Sequence, residues 1–175
     1  MITSKLIVSL FIATAVMAGH AAFAQTPSLS AKLEAARVVT SVEGKDVRSA
    51  ADSVKPGDVV EYSATYANAG TAAVSNVLAV VPVPVGTTFV VDSASPGNAQ
   101  ASVDGKTFAA MPLKRTVKLA DGKLREELVP ALEYRAVRWN IANLQAKKDA
   151  VVRLRVQINP PVLTAATAIA ATANK

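Results

Sequence analysis

Apolar and polar residues alternate one by one along several segments of this chain, and this period of two limits the fold more than any other feature. Within Val59–Asn68, every second residue is apolar: Val60, Tyr62, Ala64 and Tyr66. Residues 137–141 and 152–158 repeat the pattern. Because successive side chains of a β-strand point to opposite faces, the alternation predicts half-buried strands in antiparallel sheets with one wet face.

Turn-forming residues separate the strand segments at short intervals. Pro56, Gly57 and Asp58 precede the strand at Val59–Asn68, and Asn68 and Gly70 end it. In Pro56-Gly57-Asp58 we expect Gly57 to supply a positive φ and Asp58 to bond the following backbone, rather than to recognise a ligand. Many short strands with regular turns predict an all-β fold, an immunoglobulin-like antiparallel β-sandwich of about seven to nine strands.

Four other segments complete this interpretation. Residues 77–83 and 87–91 are continuously apolar, which predicts strands covered on both faces. Two Asp-Gly pairs, at 104–105 and 121–122, predict type I′ hairpin turns. Residues 30–37 fit a short helix or a first strand, and their position before a β-branched run favours the strand.

The first 24 residues have the pattern of a bacterial export signal. Lys5 precedes an apolar core at residues 6–18, and Ala22 and Ala24 form an A-x-A cleavage site before Gln25. The rival interpretation is a retained membrane anchor, but the core is short for a span of about 20 residues. We expect a cleaved signal at 1–24, one sandwich domain at 25–159, and an Ala/Thr-rich tail or edge strand at 160–175.

Cleavage would leave a chain without His or Cys, because His20 is the only histidine and the sequence has no cysteine. Ser-His-Asp and Cys-His catalysis, and metal sites built on His or Cys, are then excluded. Glu126 and Glu127 are neighbours on a predicted strand, so they point to opposite faces and cannot act as a carboxylate pair. We therefore predict no enzyme activity, no cofactor and no metal.

Several motifs occur in a recognisable order. A Pro-Gly-Asp turn and a strand with Tyr lie in residues 54–62, an Asn-x-Gly turn at 68–70, an Asn-Val strand at 74–77, and a Pro-x-Gly turn in 84–90. This order resembles the conserved-repeat module of bacterial surface proteins, the family called domain of unknown function eleven. The resemblance spans residues 33–158. It implies an immunoglobulin-like sandwich in exported or surface-attached proteins, with no enzyme activity and no known ligand.

Two departures from the family pattern limit what carries over. Val81 stands where the family usually has Asp, and residues 145–149 lack the usual Gly. A cation role for the family Asp therefore does not apply to this chain.

Basic residues form the main candidate binding surface, a candidate polyanion patch. Five of its residues surround one predicted hairpin, and two lie on the wet face of another predicted strand: Lys114, Arg115, Lys118, Lys123 and Arg125, and Arg153 and Arg155. Such a patch could attract anionic envelope glycans. The alternative is a solvated face whose charges protect strand edges, and interleaved Glu126, Glu127 and Glu133 favour it. Trp139 shares the apolar phase of its strand, which predicts a core position rather than a sugar-stacking platform. With few exposed aromatics we expect no nucleic-acid partner.

Three functions remain open. The leading hypothesis is a non-enzymatic, exported structural, adhesive or protein-interaction module of the bacterial envelope, located in the periplasm, at the cell surface or outside the cell. In one version it self-assembles by strand addition, with residues 162–173 or the segment before Leu33 pairing with a neighbour's sheet edge. The alternatives are an envelope polyanion or glycan binder and a periplasmic enzyme. No transmembrane segment is expected after signal cleavage.

Overall fold

The computed structural model describes residues 28–161. The expected signal peptide, with Ala22, Ala24 and Gln25 at its cleavage site, and the tail at 162–175 lie outside the described residues. Within residues 28–161 the chain forms eleven β-strands and one 3-10 helix, Ala131–Glu133. The predicted all-β class is confirmed. None of the helical structure in this range is long and apolar enough to cross a membrane.

The strands form three antiparallel sheets. Sheet one has the order β2 (Asp46–Ala50), β1 (Leu29–Thr40), β3 (Val59–Asn68), β11 (Asp149–Ile158) and β5 (Thr87–Phe89). Sheet two has the order β4 (Val74–Pro82), β10 (Ala136–Leu144), β6 (Gln100–Ser102) and β7 (Ala109–Ala110). A separate hairpin pairs β8 (Lys114–Lys118) with β9 (Leu124–Leu128).

Sheets one and two pack face to face, because the apolar phases of their strands point toward each other. One continuous buried cluster joins Val60 and Ala64 of β3, Val152, Leu154 and Val156 of β11, Ala79 and Val81 of β4, and Val137 and Trp139 of β10. Burial of each large side chain contributes roughly 1.5–3 kcal/mol to folding. The two layers therefore share one core, which makes the fold a β-sandwich.

The apolar run at 77–83 is covered on one face only, so that sequence prediction is wrong. In β4, Ala79 and Val81 are fully buried, whereas Leu78 is 57% exposed and Val80 is 43% exposed. The run is continuous because β-branched and aliphatic residues occupy both phases of the strand, although only one phase reaches the core. The apolar run at 87–91 forms a shorter strand than predicted. β5 ends at Phe89, and Val91 lies beyond the strand and is exposed.

The hairpin turn after β8 is also not the predicted type I′ turn. The Leu119 N–H donates to the Lys123 carbonyl at 2.8 Å, and the Gly122 N–H donates to the Leu119 carbonyl at 2.9 Å. Gly122 has a φ of +83°, whereas Asp121 is not among the residues with positive φ. A type I′ turn needs positive φ at both central residues, so this is a three-residue loop with glycine at its left-handed position. Asp104 likewise lacks positive φ.

Candidate functional site

Pro56, Gly57 and Asp58 form a tight turn that leads into β3. Gly57 has a φ of +91°, a conformation that favours glycine. The Asp58 carboxylate accepts the Lys55 N–H at 2.9 Å, and the Asp58 N–H donates to the Lys55 carbonyl at 3.0 Å. Asp58 thus bonds the preceding backbone rather than the following one, and its carboxylate closes the turn.

Asn68 and Gly70 join two loops at one end of the sandwich. Asn68 is buried, and its Nδ2 donates to the carbonyls of Ala72 at 2.8 Å and Leu144 at 3.1 Å. Its Oδ1 accepts the Gly70 N–H at 2.9 Å. A Cβ on Gly70 would lie 2.8 Å from the Cβ of Ser28, so only glycine fits there. The motif holds the β3–β4 loop against the end of β10.

Most aromatic side chains of the described residues lie in the core or pack against it. Trp139 is 2% exposed, and its Nε1 donates to the Pro96 carbonyl at 2.7 Å. Tyr62 packs against the buried cluster. Tyr134 stacks on Phe89 with 5.6 Å between ring centroids, and its hydroxyl accepts the Leu113 N–H at 2.9 Å. Trp139 is therefore enclosed and presents no stacking surface to a ligand.

The basic residues of the hairpin are largely neutralised by acidic partners. Lys114 pairs with Glu126 at 2.8 Å, Lys123 with Asp121 at 3.3 Å, and Arg125 with Glu127 at 3.5 Å.

Arg115 contacts both Glu127 and Glu133 at 2.8 Å. Hydrogen bonds from Arg115 hold the pKa of Glu127 below its usual value, and those bonds raise the pKa of Arg115. Among the described residues, Lys118 makes no ion pair.

Arg155 belongs to a different surface, the outer face of sheet one, where it joins a four-residue ion cluster. Glu61 is 6% exposed and accepts hydrogen bonds from Arg48 Nε at 2.7 Å and from Arg155 Nε at 3.0 Å. Arg155 Nη2 also donates to Asp46 at 2.6 Å. Burial alone raises the pKa of Glu61, but the hydrogen bonds from both arginines outweigh it and lower the pKa.

The ion cluster shows that β2 bends over the outer face of sheet one. In the strand order, β1 and β3 lie between β2 and β11, which corresponds to about 14 Å across a flat sheet. Yet Asp46 of β2 touches Arg155 of β11. The bend buries Glu61, which the alternation placed on a wet face. β2 also forms one wall of an open groove. The residues that line this groove include Arg48, Ser49, Ser63 and Arg153.

The predicted polyanion patch is therefore divided. Lys114, Arg115, Lys118, Lys123 and Arg125 lie on or beside the separate hairpin, whereas Arg153 and Arg155 lie on β11. No ion pair or side-chain hydrogen bond within residues 28–161 links the two groups. Arg153 is exposed and has no acidic partner among the described residues.

Asp104 lies in the loop after β6 and organises its backbone. Its carboxylate accepts the N–H groups of Lys106 at 2.8 Å and Thr107 at 2.7 Å, and the Ser102 hydroxyl at 2.7 Å. These bonds hold the pKa of Asp104 well below its usual range. In residues 28–161, no three His, Cys, Asp or Glu side chains are grouped so that they could hold a metal ion.

One side of the sandwich is open, a feature that the sequence did not predict. Contacts place β4 across from β3 and β10 across from β11, so the position beyond β4 in sheet two lies across from β1. No strand of the described chain occupies it. Leu33 of β1 is aligned with Ala64 and Val152 and points to the same face. Those two residues are buried, whereas Leu33 is 50% exposed.

Free strand edges border this opening. β2 pairs with β1 only over residues 36–40, so residues 29–35 have a partner on the β3 side alone. β4 pairs with β10 and with no other strand of the described chain. On its free side the Val80 N–H donates to the Tyr66 hydroxyl at 3.1 Å. We call the uncovered inner face of β1 (Ala31, Leu33, Ala35) and the free edge of β4 the open cleft.

Comparison of the chain with models of known protein families, with curated proteins and with solved structures finds no match. The resemblance to the conserved-repeat module thus stays a prediction from the motifs of the sequence.

Proposed function

We propose that this protein is an exported, non-enzymatic structural or adhesive module of the bacterial envelope, and that its copies associate by strand addition. The observation that supports this function is the presence of two long free strand edges, β4 and residues 29–35 of β1. Unpaired N–H and C=O groups on such an edge accept an additional strand from another chain.

The sequence supports export and contains a segment suited to act as the donor in strand addition. Residues 1–24 have the three-part pattern of an export signal, and the chain contains no Cys whose pairing would have to be controlled outside the cytoplasm. Residues 162–173 carry no charge and consist of Ala, Thr and three larger aliphatic residues. An uncharged extended segment can enter a sheet edge without desolvating a charge.

The described part of the segment before Leu33 is already paired within its own chain. Residues 29–32, which precede Leu33, already pair with β3 of their own chain, from Leu29 opposite Asn68 to Lys32 opposite Thr65. We therefore assign them to an acceptor edge rather than to the donor segment. This leaves residues 162–173 as the proposed donor.

Light scattering coupled to size exclusion tests this function. The chain of residues 25–175 is expected to shift from monomer to larger species as its concentration rises, and a variant ending at Pro160 is expected to stay monomeric. Identical monomeric elution of both proteins at high concentration would refute association through the tail.

A second candidate function, binding of an anionic glycan, rests on Arg153. This residue is exposed, lacks an acidic partner among the described residues, and lines the groove beside Arg48. Glu34 also lines the groove, where it pairs with Lys32 at 2.8 Å. Salt-sensitive retention on an anionic glycan resin that falls in Arg153→Ala, but not in the hairpin variant Lys118→Ala, would support this function. Equal retention of both variants would contradict it.

A further inference from the structure

We infer that the open cleft is the acceptor site, and that the segment 162–173 of a second copy fills it as an additional strand of sheet two. This inference rests on the proposed function and specifies its binding site. The inserted strand would pair with the free edge of β4 and cover the inner face of β1.

The cleft has the geometry of a missing strand. Sheet one has five strands and sheet two has four, and β4 lies across from β3 rather than from β1. Packed sheets lie about 10 Å apart, so one strand beside β4 would place alternate side chains on β1. The β1 residues that face this position are Ala31, Leu33 and Ala35, and all three are exposed. Two small residues flanking Leu33 leave room for larger side chains from the donor.

The donor sequence complements this surface. In an extended segment, Leu163, Ala165, Thr167 and Ile169 share one face, which therefore carries a large residue at each end and small ones between. β4 is nine residues long, and residues 162–173 are long enough to pair along all of it. Covering Leu33, which is 50% exposed, removes apolar surface from water and favours association.

Tyr66 controls part of the acceptor edge. Its hydroxyl accepts the Val80 N–H at 3.1 Å and so occupies a donor that an added strand would need. Replacement by phenylalanine keeps the ring and frees this N–H. We expect Tyr66→Phe to strengthen association about threefold to tenfold, the range of one net hydrogen bond. Unchanged or weaker association of this variant would contradict pairing at Val80.

A matched pair of substitutions tests the cleft itself. Leu33 and Leu78 are similarly exposed leucines on strands that border the cleft, but Leu33 points into it and Leu78 lies on the outer face of β4. In sedimentation experiments on the chain of residues 25–175, Leu33→Asp should weaken association by at least about tenfold, because it buries a carboxylate. Leu78→Asp should leave association unchanged. Equal behaviour of the two variants would overturn the site.

Cysteine labelling identifies the occupant, since the chain has no native Cys. The thiol of Leu33→Cys should react with a maleimide quickly in dilute solution and at least about tenfold more slowly when concentrated, as burial limits reagent access. Leu78→Cys should react quickly at both concentrations. Protection of Leu33→Cys that persists at high dilution and disappears in a chain ending at Pro160 would show that the chain's own tail fills the cleft, and would overturn the inference.

The outcomes separate failure of the site from failure of the proposed function. If the unsubstituted chain never associates, the proposed function fails. If it associates but Leu33→Asp has no effect and Leu33→Cys stays reactive, association occurs through another edge and only the inferred site fails.

Discussion

Substitution of Glu61 by glutamine tests the ion cluster on the outer face of sheet one. Glu61→Gln keeps the size of the side chain but removes the negative charge that Arg48 and Arg155 share. Glu61 is 6% exposed, so water has little access to its position and cannot readily take over as the partner of the two arginines. Both arginines then lose a charged hydrogen-bond acceptor at the same time.

The structure sets the size of the effect. Removal of one partner from a fully buried ion pair costs about 3–5 kcal/mol. Here the Arg48 side chain is 51% exposed, so water can solvate it after the substitution. Arg155 retains its ion pair with Asp46 at 2.6 Å. We therefore expect the free energy of unfolding to fall by about 2 kcal/mol, below the fully buried range and above that of a surface pair. In a domain of this size, the melting temperature should fall by about 4–8 °C.

Urea unfolding followed by tryptophan fluorescence measures this change. Trp139 is the only tryptophan and is buried in the core, so its emission reports loss of the sandwich. The pKa of Glu61 is lowered from 4.5 in the folded state. Its contribution to stability is therefore complete above pH 4.5 and is lost as the pH falls through the lower, folded-state pKa. Glu61→Gln should lack this acid-dependent loss.

Glu34→Gln is the matched control, because Glu34 forms an exposed ion pair with Lys32. Its cost should stay below about 0.5 kcal/mol. A Glu61→Gln protein as stable as the Glu34→Gln protein, with an unchanged acid transition, would refute the view that the buried carboxylate ties β2 to the sheet.

Three further substitutions have expected outcomes in the same unfolding assay. Asn68→Ala should lower the free energy of unfolding by about 2–3 kcal/mol, because it removes a donor from the buried Leu144 carbonyl and from the part-buried Ala72 carbonyl; a loss under about 0.5 kcal/mol would contradict the loop-joining role. Gly70→Ala should cost at least about 1 kcal/mol through its clash with Ser28, and Ser28→Gly in the same chain should restore part of it. Tyr134→Phe should cost about 1 kcal/mol and increase hydrogen exchange at the Leu113 amide, which loses its acceptor.

Alternation was sufficient to predict the central strands. β3 begins and ends at Val59 and Asn68, as the pattern indicates, and β10 and β11 include the two other alternating segments. These strands pack against both neighbouring strands and the opposite sheet, so their apolar residues alternate according to which face lies in the core. The hairpin β8–β9 was also predicted, because Asp121 and Gly122 mark its turn.

Features that depend on the path of an edge strand were not predictable. All residues of β2 are exposed, and Asp46–Ala50 has no apolar periodicity. Its bend over sheet one brings Arg48 and Asp46 to a cluster with Arg155, far away in sequence. Nothing near Glu61 in the sequence indicates that this polar-phase residue is buried. The two groups of basic residues were assigned to separate strands from the sequence, but the sheets that these strands join were not predicted.

The placement of β11 also has a consequence for how this chain folds as it is synthesised. The last strand of residues 28–161 lies inside sheet one, between β3 and β5, and Arg155 reaches Asp46 across 109 residues of sequence. β3 therefore lacks one of its two neighbouring strands until β11 emerges from the ribosome. High contact order of this kind slows folding. Delayed closure would leave the chain unfolded for longer, which is compatible with the export proposed above.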